Sequence, residues 1–476
     1  MWFRRDLRVI DNTALLQAAK HSPQGLIGIF IITPQTWVAH HRAPCQIAFL
    51  LKNLQDLSKT LADYNIPLLI RTVPRYDGCA KLLLNIMKEQ QCNTLYFNKE
   101  YEYDEQQRDN KIIDTLFQLN FFIKAYDDQT IVPPGAIVSK TLQPYQIFTP
   151  FKSRWLQYLS VKQNYLAAGK PKIQFKLSLA ADLVPSHVKE FNNQFNLSAW
   201  PIGTKAAVKR LRQFVKKKVK HYAKHRDFPA LSATSELSPY LTLGILSLRQ
   251  CVTELLKQTS QGTLEGLLTY AGARTWLNEL VWREFYKHLI YYFPWVCKKQ
   301  AFKKETDQLP WSYNQRLFIT WCRGQTGYPL VDAAMRCLNQ TGWLSNRLRM
   351  LVAMFLAKNL LLDWRLGEAY FMEHLLDGDF AANNGGWQWA ASTGTDAVPY
   401  FRIFNPITQS KKFDPQGKFI RQYCPELAYL DNKKIHQPFR YVKVKELGYP
   451  EPIVNLARSR ELVVRYFNKL RQINKL

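Results

Sequence analysis

The 476-residue sequence has no Cys-x-x-Cys pair and no cysteine with a nearby histidine at metal-ligand spacing, so nothing in it calls for a structural zinc or any other metal. Its eight cysteines read as reduced thiols, which points to a cytoplasmic protein. The longest apolar stretch, near Gly25 to Thr33, is too short to cross a bilayer, and the opening residues are charged where a secretion signal would be apolar. The glycine patterns that cradle nucleotide phosphates are missing: no G-x-G-x-x-G follows a strand and no P-loop occurs. Neither paired catalytic carboxylates nor G-x-S-x-G is found, so conventional hydrolase chemistry is unsupported. Acidic residues are scarce, 37 against 65 lysines and arginines, which gives a formal net charge of +28. Such an excess favours a polyanion through counterion release and long-range steering; nucleic acid is the first candidate and an anionic membrane surface the second.

A chain of this length exceeds one ordinary core, so two domains and a connection are expected. In residues 1–126, β-rich runs (Gly25 to Ile32, Pro67 to Thr72, Thr94 to Asn98, Phe121 to Ala125) alternate with amphipathic helical patterns (Pro44 to Tyr64, Cys79 to Gln90, Glu105 to Leu119). That alternation predicts a doubly wound parallel sheet, an α/β domain. Only Met1, Trp2 and Phe3 precede Arg4, so the buried strand that should open such a domain is either truncated or cut by a misassigned start. Residues 127–201 lose periodicity and gather prolines, as a connector laid over the surface would. From 202 to 476 helical periodicity dominates, an all-α domain that holds nearly all of the ten tryptophans between Trp200 and Trp389.

Four segments of the helical half combine residues that a plain core would not need. Thr234-Ser235-Glu236-Leu237-Ser238-Pro239 sets three hydroxyls ahead of a helix start; both an anion such as pyrophosphate and ordinary N-capping fit it. In the run from Trp276 to Tyr286, positions 276, 279 and 283 share a helix face with 282 beside it, so Trp276, Glu279, Trp282 and Arg283 form one stripe. A planar polar ligand or a Glu279–Arg283 ion pair would explain that mixture. Around Gly342 to Met350, Asn346, Arg349 and Met350 face one way and Arg347 another, so one arginine can pair inward while the other meets phosphate. From Asp377 to Asp396, small residues are packed between two asparagines, Asn383 and Asn384, on one side and two tryptophans, Trp387 and Trp389, on the other, a pattern that lets backbone approach something flat.

Together with Trp2-Phe3-Arg4-Arg5-Asp6-Leu7-Arg8, these segments in this order resemble the cryptochrome/photolyase family over essentially the whole chain, nearest to its bacterial class I cyclobutane-dimer photolyases. The resemblance implies an N-terminal antenna domain, a helical FAD domain, and light-driven splitting of pyrimidine dimers by an electron from reduced FAD (FADH⁻). Carried onto matching positions, Tyr222, Thr234, Ser235, Glu236, Leu237 and Ser238 would meet FAD, as would Trp276, Asn346, Arg349, Asp377, Gly378, Asp379 and Asn383. Asn383 would face the flavin N5, Arg349 and Asp377 would pair beside the ring, and Glu236 would point to solvent. Glu279, Trp282, Arg283, Asn346, Met350 and Trp389 would line the cavity for a flipped dimer, with Glu279, Asn383 and Met350 acting in catalysis; base flipping by photolyases is a general example of such chemistry. Arg226, Arg347 and Arg402, with the cations around Lys216 to Lys220, would grip phosphates of double-stranded DNA. His40, Asp104, Glu105, Cys297 and Lys298 match positions that hold a 5,10-methenyltetrahydrofolate antenna, although Asp104 stands where asparagine is usual. Trp387, Trp364 and Trp311 match an electron-transfer chain from flavin to surface. A cytoplasmic monomer without membrane attachment is expected. A cryptochrome-type photoreceptor is the alternative; the histidines of a (6-4) photolyase are absent near Ser345 and Asn346, and Met350 stands where single-strand-preferring relatives carry glutamine.

Overall fold

The computed structural model describes residues 1–162, 166, 169–191, 195–257 and 262–473. The chain divides into two compact units that interleave along the sequence: residues 1–220, 235–294 and 376–379 form the first, and 221–234, 295–375 and 380–476 the second.

The first unit is built on a parallel five-stranded sheet in the order β3-β2-β1-β4-β5, with β1 at Trp2–Phe3, β2 at Gly28–Ile32, β3 at Leu68–Thr72, β4 at Thr94–Asn98 and β5 at Phe122–Tyr126. The central strand has only two residues, with Trp2 opposite both Ile29 and Phe97. The ammonium group of Met1 donates to the Ile27 carbonyl at 2.7 Å. Three strand starts shift from expectation, β3 by one residue from Pro67, which has no N–H to give the ladder, and the other two for local reasons. Gly25 adopts φ +113° in a turn closed by its N–H on Ser22, which delays β2 to Gly28. The Phe121 N–H closes the preceding helix on Leu116 and is lost to β5. Helices Pro44–Ala62, Cys79–Glu89 and Tyr103–Phe117 cover the sheet, and Trp2, Ile29, Leu69, Leu83, Phe97 and Ile112 share its core.

The stretch after the sheet is not a featureless connector. Helix Phe148–Lys162 buries Phe148, Phe151, Trp155 and Leu159 at helical spacing. Pro150 lies in its first turn, where a missing N–H costs nothing, so the proline that hid this helix is compatible with it. Glu284, on the long helix Ala271–Tyr292, ties the stretch down: its carboxylate accepts the Ile131 and Val132 N–H groups and the Trp155 indole N–H at 2.6 Å. Burial raises this carboxyl to about 7 although all three donors favour its ionised form. A raised acid stabilises the fold below its unfolded value and loses that contribution as pH climbs through the folded one. We therefore expect the destabilisation caused by Glu284→Gln to shrink between pH 5 and pH 8, by up to about 3 kcal/mol, in denaturant melts at the two pH values.

In the second unit, helices Pro329–Thr341, Asn346–Met354, Trp364–His374 and Phe380–Ala391 surround a core containing Trp321, Tyr328, Leu348, Phe355, Trp364 and Trp387. The segment at Ser312 pairs in parallel with Leu362, just ahead of the Trp364 helix. Among the described residues no helix is long and apolar enough to cross a membrane, and no cluster of three or more potential metal ligands occurs.

Candidate functional site

In the first unit, the stripe of helix Ala271–Tyr292 forms as its spacing predicts. Trp276 is buried against Phe214, with ring centroids 5.0 Å apart, and Glu279 is partly exposed on the same face. One face of Trp282 is taken by Phe148, stacked at 3.7 Å and 5°. Arg283 donates to Asp379 at 2.9 Å and to the Leu241 carbonyl at 3.3 Å. Lys287, one turn further on, also reaches Asp379, at 3.1 Å. Burial by itself would raise the Asp379 carboxyl, and Arg283 and Lys287 more than offset it, so the group lies well below the usual carboxylate range. The backbone before Asp379 is clamped as well: buried Gln46 donates to the carbonyls of Leu376 (3.3 Å) and Gly378 (2.8 Å), and Thr242 to that of Asp377 (3.2 Å).

The helix expected after the hydroxyl run covers only Ser238–Thr242, too short for a strong macrodipole, so any anion at Ser235 and Ser238 depends on local N–H and hydroxyl donors. Leu237 is buried there. Glu236 does not point freely to solvent. It pairs with Arg210 at 2.8 Å and is partly buried, from a backbone at φ +51°. Lys216 and Lys217 border a groove of about 690 Å³ between helices Pro44–Ala62 and Thr204–Lys217, which also takes Lys59, Lys205 and Lys209.

Also in the first unit, His40 lies 3.0 Å from Asp104 and 3.7 Å from Glu105, and Glu105 accepts the Tyr76 hydroxyl at 3.0 Å. The crevice beyond the carboxyl ends of the strands, where doubly wound sheets usually receive ligands, is filled by Arg4, Arg5, Glu100, Arg108 and Tyr76 and keeps only about 40 Å³.

In the second unit, Tyr222 is buried with the Arg226 guanidinium 5.5 Å above its ring, and Thr234 is partly exposed. Helix Asn346–Met354 turns Asn346, Arg349 and Met350 to one side; Asn346 is exposed and Arg349 donates to the Leu344 carbonyl at 2.9 Å. Arg347, on the other side, is itself held, by Asp227 at 2.7 Å and by stacking over Phe413 at 4.5 Å. Arg402 is exposed, Lys298 is exposed, and Cys297 is partly buried. Asn383 donates its amide to the Glu368 carbonyl at 2.9 Å, which leaves the amide oxygen as the group it can offer elsewhere. Gln388 is bonded to Asn384 at 2.8 Å, and Trp389 packs at the edge of the core.

The three indoles of the expected relay all fall in this unit. Trp387 and Trp364 are 2% and 1% exposed, while Trp311 is partly exposed. Trp387 lies against Gly367, where even a methyl group would sit 2.1 Å from its ring, and Gly367 is one helical turn from Trp364. The Ser312 N–H, next to Trp311, bonds the Leu361 carbonyl at 2.7 Å and the Asp363 N–H returns to Ser312 at 3.1 Å, so the backbones of Trp311 and Trp364 run side by side.

Comparison with known proteins bears directly on these features. A family model described as the FAD binding domain of DNA photolyase matches residues 276–469, and one described as DNA photolyase matches residues 1–172. The deoxyribodipyrimidine photo-lyase of Salmonella typhimurium is 44% identical over 462 residues, 97% of this chain and 96% of that protein. The chain belongs to the DNA photolyase family. Among solved structures, a bacterial class III photolyase from Agrobacterium tumefaciens matches with a TM-score of 0.84 at 32% identity, over 99% of this chain and 97% of that one. A Synechocystis cryptochrome matches with a TM-score of 0.83 at 29% identity, over 98% of both chains.

Within this photolyase-family chain, sequence reasoning overlooked Lys287, Gln46 and Glu284. Lys287 carried a readable signal, since it extends the 276–279–283 stripe by one more turn. Gln46 was readable as one of two amides, with Asn53, on the apolar face of helix Pro44–Ala62. Glu284 stood inside a quoted segment but faces away from the stripe, towards a stretch that showed no periodicity.

Proposed function

We propose that this chain is a deoxyribodipyrimidine photo-lyase, which uses light and bound FAD to split cyclobutane pyrimidine dimers in double-stranded DNA. The observation that carries the reading is its likeness, along nearly the entire length of both chains, to the Salmonella typhimurium photo-lyase. A photoreceptor reading shares the fold, as the cryptochrome match indicates, but the curated relatives at 43–44% identity are named photo-lyases. Loss of thymine dimers from irradiated duplex DNA, with (6-4) products untouched, is the expected outcome. Removal of both lesions, or of neither, would overturn the assignment.

Reduced FAD, when bound, supplies the electron that opens the dimer. The chain's residues hold and insulate it. The donor set fits such a group: Asp379 is kept ionised by buried Lys287 and partly buried Arg283, the backbone from Leu376 to Gly378 is clamped, and Asn383 presents an acceptor suited to a ring N–H. Tyr222, Thr234, Ser235, Leu237, Ser238, Trp276, Asn346, Arg349 and Asp377 complete the proposed FAD contacts. Glu279, with Met350, Asn346, Trp282 and Trp389, receives the dimer, and its carboxyl stabilises the charge that develops on the lesion. Arg283 stands apart from the other lesion residues, because its guanidinium is committed to Asp379.

Phosphate contacts come from Arg226, Arg402 and the Lys216 to Lys220 surface. Arg226→Ala should flatten the salt dependence of DNA binding by roughly one unit. Arg347→Ala should flatten it by less, because Asp227 pairs with Arg347 at 2.7 Å and with Arg226 only at 3.8 Å, and Asp227→Asn, which removes the carboxylate from both arginines, should steepen it. Equal slopes in all three variants would place the phosphate contacts elsewhere.

For the antenna, 5,10-methenyltetrahydrofolate at His40, Glu105, Cys297 and Lys298 is favoured over a deazaflavin, since a crevice of about 40 Å³ has room for a water and not for a tricyclic ring. The Asp104 carboxylate bonded to His40 removes an amide donor, so folate is expected to be held loosely. Extraction of the native protein should yield a pterin; recovery of a deazaflavin would refute this. The enzyme is proposed to act as a cytoplasmic monomer.

A further inference from the structure

The opening motif Trp2 to Arg8 takes no part in the FAD and lesion contacts argued above, yet one of its arginines begins a line of buried charges that leads to Asp379. The Arg5 side chain, 8% exposed, donates to Glu102 at 2.9 Å and also pairs with Glu100. Glu102 accepts the Lys287 ammonium at 2.8 Å, Lys287 reaches Asp379 at 3.1 Å, and Arg283 meets the same Asp379 oxygen at 2.9 Å. Signs alternate along Arg5, Glu102, Lys287, Asp379 and Arg283, and every member lies inside the first unit. Glu102, Lys287 and Asp379 are 7%, 1% and 3% exposed in their side chains.

This arrangement is a costly way to gain stability alone, because each buried ion gives up its hydration and apolar packing would serve as well. What it does give is direction. Asp379 lies in the short segment between helices Trp364–His374 and Phe380–Ala391, immediately before the second. Lys287 and Arg283 project from adjacent turns of one rigid helix and close on a single carboxylate oxygen from two sides. Glu102, extended at the start of helix Tyr103–Phe117, prevents the Lys287 ammonium from swinging away, and Arg5 in turn fixes Glu102.

We propose that Lys287 is a positioning residue, which fixes the Asp379 carboxylate for FAD, and that Glu102 and Arg5 hold Lys287 in place. The proposal rests on the reading that Asp379 contacts FAD.

The test is the dissociation rate of FAD, followed by the fluorescence of released oxidised flavin well below the melting temperature, with the melting temperature of each variant measured separately. Lys287→Met should release FAD roughly tenfold faster, and Lys287→Arg, which keeps the cation, should stay near wild type. Should Lys287→Met fail to fold, the double variant Lys287→Met/Glu102→Gln removes one charge of each sign and should fold, still with fast release. In an Asp379→Asn background, Lys287→Met should add little, as expected when one residue acts through the other. Wild-type release from both Lys287 variants and the double variant, or effects that simply add in the Asp379→Asn background, would overturn the proposal. If Asp379→Asn itself leaves release unchanged, the flavin contact of Asp379 fails, and the proposal with it. If Asp379→Asn speeds release and Lys287→Met does not, only the positioning role fails.

Discussion

Trp311→Phe should abolish sustained photoreduction of the oxidised flavin in the presence of an external donor, and the same protein, reduced chemically beforehand, should repair dimers at close to the wild-type rate. Trp387 and Trp364 are fully enclosed, and Trp311 is the member of the three with solvent access, so in the relay we propose for these indoles an electron from outside would enter there. Contacts through Gly367 and through the Ser312–Leu362 pairing connect the three segments inside one packed core. Phenylalanine keeps the packing but is far harder to oxidise than indole. Gly367→Ala offers a second probe: its methyl group would displace the Trp387 ring, which should slow photoreduction and cost about 1–3 kcal/mol of stability. Normal photoreduction by Trp311→Phe would show that the exit lies elsewhere, and failed repair by the prereduced variant would give Trp311 a role outside this account.

Glu279→Ala should slow repair by about 10²-fold at saturating DNA while leaving FAD retention close to wild type, the loss expected when one preorganised group that stabilises developing charge is removed. Glu279 sits on the helix face that also carries Arg283 and Lys287, but those two are committed to Asp379, whereas Glu279 remains partly exposed on that stripe. Single-turnover repair by prereduced enzyme, with flavin content measured on the same sample, separates the two effects. Parallel loss of flavin and repair would place Glu279 in cofactor binding.

How much of this could be read in the sequence depended on the range of the interaction. β4 and the helices over the sheet were legible because alternation and amphipathic spacing are local, and strand starts slipped where a positive-φ glycine, a helix-closing N–H or, at Pro67, a residue without an N–H intervened. The two-residue β1 carries too little pattern to be assigned by periodicity, and helix Phe148–Lys162 was masked by Pro150. In the site, the stripe through Trp276, Glu279 and Arg283 was visible from helical spacing alone. Its partners were not, since Arg283 meets Asp379 across 96 residues of sequence and Arg5 meets Glu102 across 97. The solvent-facing placement of Glu236 failed for the same reason, because Arg210 comes from a different helix.

The most direct test of the central claim is to incubate the purified protein, with its flavin reduced, with dimer-containing duplex DNA, in the dark and under near-UV or blue light, and to count dimers. The account predicts steady loss of dimers in the light and none in the dark. Equal counts in the two arms, whether dimers are lost in both or in neither, would contradict it.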